Sequence, residues 1–295
     1  RTTPFYCYSQ NTLIDNFNKF ANSVASFDST VCFSLKSNSN LTLLKTLEKL
    51  GAGADVVSEW EMRKALKAGI SAKNIVFSGI GKTDKDIQFA INNDCFQINV
   101  ESIDELNRIN EMAASIGKVQ KIGIRINPDI KADTHKKIST GSLEDKFGVG
   151  IEDTHKIFQN RANYSSLKIS SIAFHIGSNI KELKPFENTF SLIGDLAKKI
   201  NSETSIIDTI DVGGGLSPQK RNFTFEDYAK LIHKYFDLDG IKFIFEPGRL
   251  ISADAGILVS RVLYIKNITC KKFIIIDAGM NDMIRPALYL SLIHI

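Results

Sequence analysis

The chain has 295 residues, of which 43% are hydrophobic and 24% charged, with a formal net charge of +4 spread along its length. This composition excludes a disordered, collagen-like or coiled-coil protein, and it gives no basic stripe for a nucleic-acid partner. The absence of any apolar run of about 18 residues argues against a membrane partner, and we expect a cytoplasmic location.

Eight short runs rich in β-branched and aromatic residues alternate with amphipathic stretches, which predicts parallel strands joined by helices. In chain order the runs are residues 31–35, 54–57, 75–78, 95–100, 121–126, 167–174, 206–212 and 242–245. Residues 25–250 approach the ~250-residue length of a (β/α)8 barrel. We therefore predict an α/β fold, a (β/α)8 TIM barrel over residues 25–250, with an open doubly wound sheet as the alternative.

Helix starts and ends can be located between these runs. Leucines recur every three residues from position 41 to 50, and Gly51 is placed to end that helix. Three pairs have the spacing of a capping box, in which a hydroxyl and a carboxylate satisfy unpaired N–H groups. These pairs are Ser58 with Glu61, Ser102 with Glu105, and Thr224 with Asp227.

The strand–helix alternation stops after residue 250. Segments 256–269 and 272–277 predict two strands joined by a short turn, and residues 3–8 predict a strand that could pair with them. We interpret residues 1–24 and 251–295 as a second, antiparallel β domain. It is incomplete, because so few residues cannot build an independent core.

Polar side chains and glycines follow the predicted barrel strands, at the end of a barrel where active sites lie. Taken singly, each has an ordinary explanation: a solvated lysine, a structural histidine, a tight glycine turn, or a polar layer inside the barrel. Their convergence on one rim favours an active site. The residues are Lys36, Asp55, Arg125, His175, Gly213 to Gly215, Glu246, Gly248 and Arg249.

This combination predicts a pyridoxal phosphate (PLP) site. Glycines after strand 7 and the Gly248-Arg249 pair after strand 8 stand where barrel enzymes often bind phosphate. A lysine facing a phosphate site indicates a Schiff base with PLP. Glu246 near the pyridine nitrogen would keep that nitrogen protonated, and His175 could lie against the ring.

The four cysteines predict neither a disulfide framework nor a metal site. Cys7, Cys32, Cys95 and Cys270 lie far apart, without a Cys-x-x-Cys pair. Disulfide and zinc frameworks have recognisable short spacings, so we expect reduced thiols and no metal.

Five ordered motifs resemble those of the alanine-racemase-like, fold-type III PLP-dependent decarboxylases. They are VCFSLKSN at 31–38, GADVVS at 53–58, HIGS at 175–178, GGGL at 213–216 and EPGR at 246–249. Two further segments resemble the family's diaminopimelate branch. They are residues 134–148, with Thr134-His135, Ile138 to Gly141 and Lys146 to Gly148, and residues 277–289, with Asp277 to Asp282 and Arg285 to Tyr289.

The resemblance, which covers about residues 3–289, implies decarboxylation of the amino acid meso-2,6-diaminopimelate to L-lysine, the last step of lysine biosynthesis. It implies that Lys36 holds PLP, Glu246 pairs with the pyridinium nitrogen and His175 stacks on the ring. The remaining implied roles are phosphate binding by Ser178, Gly214, Gly215, Gly248 and Arg249, support of Lys36 by Asp55 and Arg125, and substrate carboxylate binding by Arg249, Arg285 and Tyr289.

The family pattern also continues beyond Tyr289, with a Cys-Glu-Ser motif and a late tyrosine that complete a homodimeric site. Cys270 lies in the wrong context to replace that cysteine. We therefore expect a homodimer for the full-length protein and poor activity for the 295-residue chain. Residues 290–295 match the translation of a transposon end used in sequencing adapters, and we interpret them as read-through; a genuine apolar strand or helix end is the alternative.

Two other functions stay open at this point. One is a related PLP decarboxylase of ornithine or arginine, against which the His135 segment and the Arg285–Tyr289 pair argue. The other is a non-catalytic PLP-binding homologue, which the joint presence of Lys36, His175 and Glu246 disfavours.

Overall fold

A computed structural model of the protein describes residues 2–129, 146–219 and 221–289. The strands are β1 (Phe5–Tyr8), β2 (Ser29–Ser34), β3 (Gly53–Val56), β4 (Ile75–Phe77), β5 (Gln97–Val100), β6 (Gln120–Ile126), β7 (Leu167–Phe174), β8 (Thr209–Asp211), β9 (Lys242–Phe245), β10 (Gly256–Val259), β11 (Val262–Ile268) and β12 (Lys271–Ile276).

The helices begin with α1 and alternate with the strands as far as β9. They are α1 (Gln10–Ser23), α2 (Leu41–Glu48), α3 (Glu59–Ala68), α4 (Asp84–Asn92), α5 (Ile103–Ile116), α6 (Ile151–Gln159), α7 (Lys184–Thr204), α8 (Phe225–Tyr235), α9 (Arg249–Ser252) and α10 (Arg285–Tyr289). None of them, within the described ranges, is long and apolar enough to cross a membrane.

Strands β2 to β9 form a closed parallel barrel in which each strand pairs with the next in sequence and β9 pairs back with β2. The prediction of a (β/α)8 barrel is confirmed, and the alternative of an open sheet is wrong. Every residue of β3, β4 and β5 is buried, as expected for strands covered by helices outside and by side chains inside. All eight predicted barrel strands are present, although β5 and β8 are shorter than their apolar runs.

The predicted helix ends are confirmed. Ser58 and Ser102 accept the backbone N–H groups of Glu61 and Glu105. Of the three pairs, only Thr224 and Asp227 form a complete capping box, because Glu61 and Glu105 accept the N–H groups of Val57 and Glu101 instead. At the other end of α2, Gly51 has a φ of +85° and its N–H donates to the carbonyl of Glu48, the last residue of the helix. These caps fix where the chain leaves each helix for the next strand.

The chain divides into two compact units. One is Leu13–Ala253, which contains the barrel; the other takes the described residues of Arg1–Thr12 and Asp254–Ile295. In the second unit β1 pairs antiparallel with β10, as predicted, and β11 pairs antiparallel with β12.

One strand boundary was predicted wrongly. Residues 256–269 form two strands, because β10 pairs with β1 whereas β11 pairs with β12. At the break, the carboxylate of Asp277 accepts the N–H of Arg261, and Arg261 in turn accepts the N–H of Asp277. The apolar run hides this change of partner, since nothing in its composition marks the point where one sheet ends.

Candidate active site

Lys36 lies in a short 3-10 turn, Leu35–Ser37, immediately after β2. Its Nζ donates to Oδ2 of Asp55 at 2.9 Å, and Ser34 Oγ donates to the same oxygen at 2.6 Å. The Asp55 side chain is fully buried, whereas half of the Lys36 side chain is exposed. Burial by itself would lower the pKa of Lys36, but the carboxylates of Asp55 and Glu246 outweigh it and raise that pKa. The arrangement aims an amine into the carboxyl end of the barrel.

Glu246 directly follows β9 and is buried. Its Oε1 accepts a hydrogen bond from Ser78 Oγ at 3.4 Å, and its carboxyl is hydrogen-bonded to that of Asp211, the last residue of β8. Burial, followed by repulsion from the carboxylates of Asp211 and Asp55, raises the pKa of Glu246 well above its usual range. A cationic group bound beside Glu246 would relieve this repulsion.

His175 follows β7 and carries a neutral ring. Burial, followed by the charges of Lys36 and Arg125, lowers its pKa to about 3. The N–H of Gly214 points at Nδ1 of His175 from 3.3 Å, so Nδ1 is the acceptor and the ring proton sits on Nε2. The imidazole is therefore a flat, uncharged surface at the rim.

Arg125, on β6, is held on two sides. Its Nη1 donates to Oε1 of Glu101 at 2.6 Å, and its guanidinium lies over the ring of Phe147 at 4.7 Å. The other Glu101 oxygen accepts the N–H of Gly148 at 2.9 Å. Glu101 thus fixes both the arginine and the chain at residues 147–148.

The glycine loop after β8 is closely packed. Gly213 and Gly215 have φ of +66° and +100°, and a Cβ on Gly214 would lie 2.3 Å from the carbonyl oxygen of Glu246. A Cβ on Gly248 would lie 2.9 Å from the Cβ of Ser34. Only glycine allows these loops to approach so closely, and the approach brings their backbone groups to the same rim.

Several predicted residues line one cavity inside the rim, together with residues that the sequence interpretation missed. The cavity is lined by Lys36, Ser78, Asn99, Arg125, Ala173, Phe174, His175, Asp211 and Glu246. Asp211, Asn99 and Ser78 were missed, as was Glu101, which is outside the cavity lining and holds Arg125. Asp211 and Glu101 end or follow strands, so the positional rule that selected Glu246 could have found them; Asn99 lies within β5 and carries no such signal.

The other predicted residues have the following positions. Ser178 is half-buried in the loop after β7, and Arg249 is the first residue of α9, directly after Gly248. Arg285 and Tyr289 belong to α10, in the second unit. Residues Thr134 to Gly141 and 290–295 lie outside the described residues. Among the described residues, no group of three or more His, Cys, Asp or Glu side chains is arranged so that it could hold a metal ion.

The family model described as "Pyridoxal-dependent decarboxylase, pyridoxal binding domain" matches residues 10–253. The diaminopimelate decarboxylase of Zymomonas mobilis is 39% identical over 295 residues, which span 97% of this chain and 70% of that protein. The diaminopimelate decarboxylase of Pseudomonas aeruginosa is 38% identical over 290 residues, again covering 97% and 70%.

Solved structures agree in fold and sequence. The crystal structure of diaminopimelate decarboxylase from Helicobacter pylori complexed with L-lysine has a TM-score of 0.95 and 39% identity, covering 99% of this chain and 74% of that one. The diaminopimelate decarboxylase of M. jannaschii in complex with L-lysine has a TM-score of 0.90 and 34% identity, covering 98% and 70%.

Proposed function

Because the chain belongs to the family of pyridoxal-dependent decarboxylases, we propose that it is the cofactor-binding part of an enzyme that converts meso-2,6-diaminopimelate to L-lysine. The reaction is the last step of lysine biosynthesis. The observation that carries the proposal is one cavity lined by an amine, a neutral imidazole and a buried carboxyl, from Lys36, His175 and Glu246. These are the groups that a PLP decarboxylase needs around its cofactor ring.

The cavity fits PLP on electrostatic grounds. Three buried carboxyls, from Asp55, Asp211 and Glu246, face one lysine amine. The second oxygen of Asp55, Oδ1, is buried without a hydrogen-bond partner in the described part of the chain. The site therefore has an excess of negative charge, which a protonated ring nitrogen complements.

Each residue has a proposed role. Lys36 would bond to the cofactor aldehyde, and Glu246 would bind the ring nitrogen and keep it positively charged. His175 would lie against the ring, and its low pKa would keep a second positive charge away from it. Asp55 and Arg125 support Lys36, since their charged side chains lie beside its amine. The phosphate is bound by Ser178, Gly214, Gly215, Gly248 and Arg249.

When bound, PLP supplies an electron sink for the electrons that remain after CO2 leaves. This chain's own residues orient the reacting atoms and set their charge. The buried Glu246 would stabilise positive charge on the ring nitrogen, and Asp55 keeps the Lys36 amine at the rim, 2.9 Å from its own carboxylate. In that setting, loss of CO2 followed by protonation of the same carbon would give the product amine.

Substrate selection depends on the far end of the amino acid. We assign Arg249, Arg285 and Tyr289 to the second carboxylate, because a guanidinium can bind a carboxylate through two hydrogen bonds. Diaminopimelate carries that group, whereas ornithine and arginine lack it. Release of CO2 faster from ornithine than from diaminopimelate would refute this assignment.

We further propose that the full-length protein is a cytoplasmic homodimer. The curated relatives that the chain matches extend beyond it, since it spans 70% of their length. Support for the dimer comes from the family pattern, in which the partner subunit contributes to the site. Sedimentation of the full-length gene product would test it, and a monomer that decarboxylates at full rate would contradict it.

The cofactor assignment is tested on the full-length gene product. Addition of PLP should produce a visible absorbance band that Lys36→Ala lacks, and borohydride followed by peptide mapping should label Lys36. Lys64→Ala is a suitable control, because this exposed lysine donates to Ser39 outside the cavity. A label on another amine, or a band without CO2 release from any amino acid, would refute the proposed function.

A further inference from the structure

A second buried carboxyl lies beside Glu246, and neither the sequence motifs nor the proposed mechanism uses it. Asp211 ends β8, its side chain lines the cavity, and only 1% of the residue is exposed. The carboxyls of Asp211 and Glu246 are hydrogen-bonded to each other. Two buried carboxylates in contact repel strongly, so such a pair retains one proton between them.

Hydrogen-bond donors decide which carboxyl is ionised. Asp211 accepts two N–H bonds, from Asn99 Nδ2 at 2.9 Å to Oδ2 and from the backbone of Gly213 at 3.0 Å to Oδ1. Glu246 accepts a longer bond, from Ser78 Oγ at 3.4 Å. Because N–H donors stabilise a carboxylate, the negative charge lies on Asp211 and the proton on Glu246.

Neighbouring side chains hold this arrangement rigidly. Nε2 of Gln97 donates to Oδ1 of Asn99 at 2.8 Å, which turns the Asn99 amide so that its Nδ2 faces Asp211. The same Nδ2 also lies 3.1 Å from Ser78 Oγ. All of these side chains are buried within the barrel, so the chain from Gln97 to Glu246 has little freedom to reorganise.

We propose that Asp211 is a positioning residue for Glu246: it binds the Glu246 carboxyl and keeps one proton on it in the cofactor-free protein. The inference rests on the proposed function, which assigns Glu246 to the ring nitrogen of the cofactor. Glu246 therefore already carries the proton that it would share with the ring nitrogen. Cofactor binding would then not have to take up a proton from solvent.

Other titratable groups face the pair from several strands and one helix. The carboxylate of Asp55 repels those of Asp211 and Glu246, whereas the amine of Lys36 attracts that of Glu246. Cys32 on β2 and Tyr228 on α8 also feel the charge of Asp211; burial first, then this charge, keeps both of them neutral by raising their pKa. His175 is neutral as well. Near neutral pH the pair is therefore the group in this cluster whose protonation can change.

The first test uses the cofactor-free full-length protein and infrared spectroscopy. A carboxylic acid band that is lost in Glu246→Gln locates the proton on Glu246. In Asp211→Asn that band should disappear at lower pH than in the wild type, because the repelling charge is gone. A band that titrates identically in both proteins would overturn the inference.

The second test measures the dissociation constant of PLP between about pH 6 and about pH 8. At pH values where Glu246 is already ionised in Asp211→Asn, PLP binding to this variant must take up one proton more than binding to the wild type. The ratio of the variant's dissociation constant to that of the wild type should therefore rise with pH. The limit is about tenfold per pH unit for one proton. A ratio that does not change with pH would count against the inference.

Two variants keep the tests decisive. Asn99→Ala removes a donor from Asp211 without changing its charge, and it should weaken the Glu246 acid band; an undiminished band would overturn the inference even if Asp211→Asn folds poorly. Asp208→Asn is the matched control, because Asp208 precedes β8 and pairs with Lys121 and Lys168. It should alter neither readout. If the wild type binds no PLP, the proposed function fails, and the infrared comparison still decides the role of Asp211.

Discussion

Glu101→Ala tests whether the ion pair between Glu101 and Arg125 holds the rim together. The pair is separated by 2.6 Å, and only 3% of the Glu101 side chain and 10% of the Arg125 side chain are exposed. Removing one partner of a buried pair costs about 3–5 kcal/mol, because it leaves an uncompensated charge. Gly148 also loses the acceptor of its N–H, which lies 2.9 Å from Glu101. We expect the loss of unfolding free energy to stay within that range, because water can enter the space left by the side chain and solvate the groups that lose their partner.

The assay is urea unfolding of the full-length protein without cofactor, supported by thermal unfolding. For a domain of this size the melting temperature should fall by roughly 6–20 °C. Glu111→Ala is the matched control, because Glu111 pairs with Arg108 at 3.2 Å while both side chains are about half or more exposed. Such exposed pairs contribute about 1 kcal/mol or less.

A double variant separates charge from volume. Glu101→Leu combined with Arg125→Met removes both charges and should recover most of the lost stability. It should not recover cofactor affinity, because Arg125 lines the cavity. The reasoning is wrong if Glu101→Ala loses no more stability than Glu111→Ala, or if the double variant is less stable than the single one.

Three further predictions follow from individual contacts. Ser34→Ala should cost about 1.5–3 kcal/mol in urea unfolding, because it removes the 2.6 Å bond to the buried Asp55; a loss too small to measure would contradict this. The ring signals of His175 in NMR should not titrate between about pH 5 and about pH 8, since burial and two nearby cations lower its pKa to about 3; a midpoint inside that window would be a contradiction. Ile265 and Ile274 face each other across β11 and β12 and are 58% and 61% exposed. Replacing both with threonine should therefore slow aggregation of the 295-residue chain, as measured by light scattering. An unchanged aggregation rate would show that β11 and β12 do not cause the aggregation.

The barrel could be predicted from sequence because its signals are local. Each strand is a short apolar run, and each helix has its own stripe and cap, as at Ser58 and Thr224. Parallel order then places all strand ends on one rim, so position alone selected Lys36, His175 and Glu246. No long-range contact had to be known to make that selection.

The hydrogen-bond network inside the barrel could not be predicted in the same way. Asn99 meets Asp211 across 112 positions of sequence, and the contact depends on the register of β5, β6, β7 and β8. It also depends on Gly123 of β6, where a Cβ would lie 2.4 Å from Oδ1 of Asn99. A glycine in a strand indicates a close approach, but the sequence does not say which side chain approaches.

The net charge of the cavity explains how Asn99 and Asp211, inside the barrel, affect the charged residues at its rim. If all were ionised, Asp55, Asp211 and Glu246 would contribute three negative charges against the one positive charge of Lys36, since Arg125 is already paired with Glu101. One proton on Glu246 reduces the excess to a single charge, which N–H donors stabilise on Asp211. A ring nitrogen that took up the Glu246 proton would then be a positive group in a site of opposite charge, whose carboxyls are already oriented. Cofactor binding should therefore need little rearrangement of the barrel, because the cost of assembling these charges is met when the strands close.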